Sequence, residues 1–176
     1  MKITKLKIKD ALMLKDELFH DDRGSFTELW DNKVFKKAGV SFIPDNACFS
    51  KNIKAGTLRG LHLQKEPYAQ AKVVTCVSGE IYDVILDLRK DSSTFLKWEA
   101  VQLRAFGGDA VYIPKGCAHG FVTVSDLTVV AYLIEGAFKA DAALAFRWND
   151  PAFSISWPVE KPIISNKDRD AVDYPI

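Results

Sequence analysis

Between residues 70 and 135 the chain changes from apolar to polar and back at short intervals, in the rhythm of β-strands. The stretch "KVVTCVSGEIYDVILDL" (72–88) sets two β-branched runs on either side of "SGE", a spacing that predicts a hairpin with a glycine-containing loop. "GGDAVYIP" (107–114) supplies a turn and another short strand. "HGFVTV" and "LTVVAYLI" supply two more, joined by the turn-prone pair "SD". Helical periodicity is weak and local. "WDNKVFKKAG" (30–39) has apolar positions at Trp30, Val34 and Phe35, with Asp31 placed as an N-cap and Gly39 as a stop. The final "NKDRDAVDYPI" is polar and reads as a short helix or coil. Short strands at close spacing, with Gly, Pro and Asp between them, point to an all-β sandwich or barrel with a few short helices.

Composition narrows this picture. A chain of 176 residues fits one domain, 1–176, with no internal repeat, low-complexity tract or linker. With 24 Lys and Arg against 23 Asp and Glu, no excess positive field draws it to nucleic acid or an anionic membrane. The start "MKITKLKIKD" lacks the continuous apolar core of a signal peptide, and runs such as "VVAYLI" are too short to span a bilayer. Cys48, Cys76 and Cys117 are odd in number and far apart, a pattern of reduced thiols. The expectation is a soluble cytoplasmic protein.

The residues with chemical potential each have a plain alternative. His20, His62 and His119 are scattered, so a converging metal site is not expected. His62, in "TLRGLHLQ" (57–64), reads either as a core histidine of a strand or as a general base. Cys117 lies two residues before His119 and can share its face, but a small buried thiol in a tight turn accounts for it as well. "FHDDRGSFTELW" (19–30) combines Phe19, Arg23, Phe26 and Glu28, which suit an aromatic anionic ligand or, equally, an edge strand with a surface ion pair. Lys72 begins a strongly apolar strand, either partly desolvated or snorkelling outward. Tyr132 shares its strand face with Thr128, Val130 and Ile134, which suits a site or a core.

Taken together, "FHDDRGSFTE", "DNACFS", "GTLRGLHLQKEPYAQAKVVTCVSGEIYDVILDLRKDSSTF", "YIPKGCAHGFVTVSD", "FRWNDP" and "PIISNKD" resemble the dTDP-4-dehydrorhamnose 3,5-epimerase family of nucleotide-sugar enzymes over roughly residues 15 to 170. The resemblance implies a cupin-like jelly-roll barrel (double-stranded β-helix), a homodimer, and chemistry without metal or cofactor. It further implies that His62 is the base, held by Asp168. Lys72 would stabilise charge at the C4 oxygen, and Tyr132 would be the acid on the other face of the sugar. Arg59 and His119 would contact the diphosphate, while Phe19, Arg23, Phe26 and Glu28 would contact the nucleotide, some of them across the dimer. The glycine of "RGLH" would let the strand approach the sugar.

Several positions depart from the family pattern. Its Gln-x-Asn reads Pro44-Asp45-Asn46, a tyrosine six positions after Tyr132 is Phe138, and the aromatic of "RGLHYQ" is Leu63. Asn46 and Phe138 stay among the expected binding residues. The altered set faces the nucleotide, so dTDP is the expected base carrier, with CDP- and GDP-sugars as alternatives. Inversion at C3 and C5 is expected. The alternatives are a 3-epimerase, a 3,4-ketoisomerase on the same fold, and a non-catalytic sugar-nucleotide-binding cupin.

Overall fold

Residues 1–175 of the protein are described, from a computed structural model. Its strands are β1 (Lys2–Lys5), β2 (Leu12–Lys15), β3 (Phe19–Asp21), β4 (Gly24–Phe26), β5 (Asn46–Asn52), β6 (Thr57–Gln64), β7 (Ala71–Ser78) and β8 (Glu80–Asp87). They continue with β9 (Trp98–Arg104), β10 (Asp109–Ile113), β11 (Cys117–Thr123), β12 (Thr128–Glu135), β13 (Ala143–Ala145) and β14 (Ile163–Ile164). Two short α-helices, α1 (Asn32–Lys37) and α2 (Asn166–Arg169), and a 3-10 turn at Ala140–Ala142 complete the set among the described residues.

One antiparallel sheet runs β1-β2-β10-β7-β12-β5, and a second runs β13-β6-β11-β8-β9, with β14 joining β6 in parallel. Chain-adjacent strands β5 and β6, β7 and β8, β9 and β10, β10 and β11, and β11 and β12 fall in different sheets. Repeated crossing of this kind closes two sheets into a cupin-like jelly-roll barrel. The hairpin expected across "SGE" is therefore corrected. β7 pairs with β10 and β12, whereas β8 pairs with β11 and β9. Gly79, at φ +77°, turns a corner between the sheets. A Cβ there would lie 2.4 Å from Thr128 Oγ1 and 2.6 Å from Ser125 Oγ. The turn chemistry is as expected; what it joins is set by distant pairing.

Alternation along each strand divides the apolar residues between two environments. Val74, Cys76, Ile81, Ile85, Val111, Phe121 and Val130 meet between the sheets. Val73, Ala110 and Tyr112 face outward under Phe35 of α1 and Phe42. Asp31 caps α1 as expected, accepting from the amides of Lys33 at 2.6 Å and Val34 at 3.3 Å. A helix of six residues is too short to stand alone. It is held by the full burial of Phe35, worth roughly 1.5–3 kcal/mol. The inward stripe is mostly apolar, but polar residues such as Asp83 and His119 interrupt it, and these interruptions carry the site.

Candidate active site

Strand pairing assembles the site. Leu61 and Leu63 of β6 pack outward, so His62 between them faces the barrel interior. It sits directly opposite His119 of β11, whose neighbours Cys117 and Phe121 belong to the inner core. From the other sheet, Lys72 follows the inward alternation of Val74 and Cys76, and Tyr132 that of Val130. Close packing of β6 on β11 explains the glycine of "RGLH". A Cβ on Gly60 would lie 2.5 Å from Gly120 Cα and 2.9 Å from the His119 carbonyl oxygen, at φ +127°. The expectation that this glycine makes room for the sugar is corrected: it makes room for the neighbouring strand.

The acid–base geometry is specific. Asp168, in α2, is buried and lies 2.6 Å from His62 Nε2. A carboxylate only accepts, so Nε2 carries the proton and donates. Nδ1 is then the basic nitrogen in the neutral ring. Burial pushes the Asp168 carboxyl up, but His62 and the Gly60 amide pull it down further, and it titrates below its ordinary value. The carboxylate therefore stays ionised to hold the ring. Ser165 caps α2 through the Asp168 amide and fixes the helix that delivers it.

Lys72 is desolvated among apolar neighbours, which pushes its ammonium down to about 8 against the opposing pull of Asp83. Asp83 Oδ2 lies 2.7 Å from His119 Nε2, with both side chains buried. Burial pushes the Tyr132 phenol up to about 12, offset in part by Ser50, whose Oγ lies 3.0 Å from the phenol oxygen. The phenol is thus a protonated group poised to donate. Arg59 projects from β6 with Nε donating to Asn52 Oδ1 at 2.8 Å. Cys117 is no nucleophile: burial pushes its thiol up to about 12.

A cavity of about 230 Å³ opens beside His62, with Lys72, Gln70, Phe138, Leu144 and Lys167 among its walls. Tyr132, His119 and Arg59 form the adjoining cluster; the His119 and Tyr132 rings are 6.3 Å apart. Asn46 opens β5 opposite Ile134, at the same edge. His62, Lys72 and Phe138 thus line one cavity with Asp168 behind His62, Tyr132, His119 and Arg59 adjoin it, and Asn46 lies at the far end of β5 from the Asn52 that holds Arg59. The remaining four lie elsewhere. Phe19 and Phe26 face each other across the β3–β4 hairpin, 62% and 72% exposed, and Arg23 pairs with Asp21 at 2.5 Å. Glu28 lies along a second cavity of about 340 Å³, with Phe26 and Arg104. That cavity is the larger of the two, but its buried carboxylate, Asp16, is tied to the Met1 ammonium at 2.7 Å, and it has no histidine. The groups suited to proton transfer lie at the His62 cavity.

Asp83, Ser50 and Asn52 escape a reading by residue type. Asp83 leaves one signal in the sequence. It alternates with Ile81 and Ile85 on a core-facing stripe, where a carboxylate has to be partnered.

A jelly-roll barrel with a carboxylate-held imidazole and a desolvated ammonium lining one cavity, and a partly buried phenol adjoining it, has the groups of an acid–base isomerase of carbohydrate-sized substrates. The chain belongs to the dTDP-4-dehydrorhamnose 3,5-epimerase family, whose model matches residues 5–174. The dTDP-4-dehydrorhamnose 3,5-epimerase of Shigella flexneri is 43% identical over 171 residues, 96% of this chain and 93% of that protein. The crystal structure of the Bacillus anthracis enzyme of that name, with TDP and PPi bound, superimposes with a TM-score of 0.94 at 43% identity, covering 98% of this chain and 99% of the other. ChmJ, a 3′-monoepimerase of Streptomyces bikiniensis in complex with dTDP-quinovose, is more distant, at 30% identity and a TM-score of 0.89, covering 96% and 85%.

Proposed function

We propose that the protein inverts C3 and C5 of a dTDP-linked 4-keto-6-deoxy-hexose. The observation that carries this reading is a candidate base and a candidate acid on the two facing sheets: His62 of β6, fixed by Asp168 at 2.6 Å, and Tyr132 of β12, whose phenol burial keeps protonated. His62 Nδ1 takes the proton from the carbon beside the ketone, and the C–H electron pair moves into an enolate. Negative charge gathers on the C4 oxygen, where the Lys72 ammonium stabilises it. The enolate carbon then takes the Tyr132 proton on its opposite face, restoring the ketone with inverted configuration. Imidazolium and phenolate reset by proton exchange with water, so no external group is consumed.

Arg59 and His119 suit the diphosphate. In a single chain the hairpin bearing Phe19, Arg23 and Phe26 presents its aromatic pair to solvent, which supports a homodimer in which the hairpin serves its partner's nucleotide. A cytoplasmic enzyme acting on an activated sugar accords with three unpaired thiols. Relatives named as 3,5-epimerases reach higher identity than the 3′-monoepimerase, which favours two inversions. Incubating dTDP-4-keto-6-deoxyglucose with the protein in D₂O tests this reading. Deuterium at both C3 and C5 is expected by NMR. Label at C3 alone would make it a 3-epimerase, and no label would remove the assignment.

A further inference from the structure

Two polar side chains of the edge strand β5 have no place in the chemistry above, yet each is spent on a residue that does. Ser50 and Asn52 alternate on the strand with Cys48, and their pairing partners on β12 are Val130 and Thr128, so both point toward the cleft. Asn52 is 2% exposed. Its amide donates to the Thr128 carbonyl at 3.2 Å, which fixes the plane of the group and turns Oδ1 toward Arg59. Arg59 Nε donates to that oxygen at 2.8 Å, and among the described residues neither Nη of Arg59 has a protein partner. A guanidinium held by one edge keeps its two terminal nitrogens for a diphosphate. Ser50 Oγ lies 3.0 Å from the Tyr132 hydroxyl and 3.5 Å from Asn52 Nδ2, at the limit of a hydrogen bond.

We infer that Ser50 and Asn52 are positioning residues, Ser50 setting the acidity and aim of Tyr132 and Asn52 holding Arg59 ready for the diphosphate. This rests on the epimerase reading for the roles of Tyr132 and Arg59. A phenolate left after proton delivery accepts a hydrogen bond from Ser50, which stabilises that state over the neutral phenol. The other groups influencing the phenol are Asp83, Arg59, Cys48 and the neighbouring His119. Among the described residues, Ser50 alone hydrogen-bonds the phenol oxygen.

The test uses the full chain with 3,5-difluorotyrosine at position 132, whose phenol titrates in an accessible range, followed by ¹⁹F NMR. Ser50→Ala is expected to raise the midpoint by about one pH unit, and Ser50→Thr to return it. In parallel, calorimetry with TDP is expected to show Asn52→Ala weakening binding roughly tenfold, but adding no further loss in an Arg59→Ala background. A purely structural role would weaken binding equally in both backgrounds, and that result, or an unmoved phenol midpoint in Ser50→Ala, would overturn the inference. Neither readout needs turnover, so a protein that fails to epimerise fails the proposed function separately. The phenol titration decides even if TDP does not bind.

Discussion

Lys72 shows how one side chain is set for its task by where the strand places it. In the proposed reaction its ammonium has to be charged to meet an enolate oxygen, yet desolvation brings its titration down to about 8. The protonated form is therefore lost as pH rises through that value, and kcat/KM is expected to fall on the alkaline side with a midpoint near 8. A pH–rate profile checks this; a flat profile to pH 10 would contradict it. The same desolvation opposes folding. Between about pH 8 and the ordinary 10.5 the unfolded chain holds a proton that the folded chain does not, so this residue's contribution to stability rises with pH across that window. Lys72→Met is accordingly expected to abolish turnover while melting no lower than the parent at pH 7, measured by calorimetry. A large drop in melting temperature would show that the ammonium is a structural tie.

At the scale of elements, the site depends on how closely β6 lies on β11. Gly60→Ala would drive a methyl into the Gly120 backbone at a φ that L side chains avoid. A destabilisation on the order of 2–4 kcal/mol is expected in urea titration, with loss of activity. Near-wild-type stability would mean the strands can part. Elements also mark where the sequence was legible. Strand existence and the Asp31 cap of α1 follow from alternation and residue type, which are local, whereas His62, Lys72 and Tyr132 each kept a plain alternative until the family resemblance joined them. The partner of a strand is not local: "SGE" reads the same whether Gly79 closes a hairpin or turns a corner between sheets. Ser50 and Asn52 were illegible for a related reason. Small polar residues on a strand are ordinary until β12 and β6 bring Tyr132 and Arg59 to them. Asp83 was legible in principle, being a carboxylate on a stripe of isoleucines.

At the scale of the whole molecule, the expected ligand residues divide into two groups that one chain does not bring together. Eight lie in or along the strands beside the His62 cleft, three of them lining it, while Phe19, Arg23, Phe26 and Glu28 lie on or beside the hairpin, with both phenylalanines exposed. The proposed homodimer, in which the hairpin serves a second copy, would account for the division. Sedimentation velocity is expected to show a dimer, and mixing inactive Arg23→Ala with inactive His62→Ala is expected to restore turnover through mixed dimers with one intact site. An active monomer, or mixtures that stay dead despite subunit exchange, would contradict the shared-site arrangement. All of this rests on His62 as the base. The most direct measurement is deuterium exchange into dTDP-4-keto-6-deoxyglucose by His62→Ala, alongside calorimetry with TDP on the same preparation. Exchange is expected to fall by about 10²–10⁴-fold while TDP affinity stays close to that of the parent. Exchange at near-parental rate in a folded His62→Ala protein would contradict it.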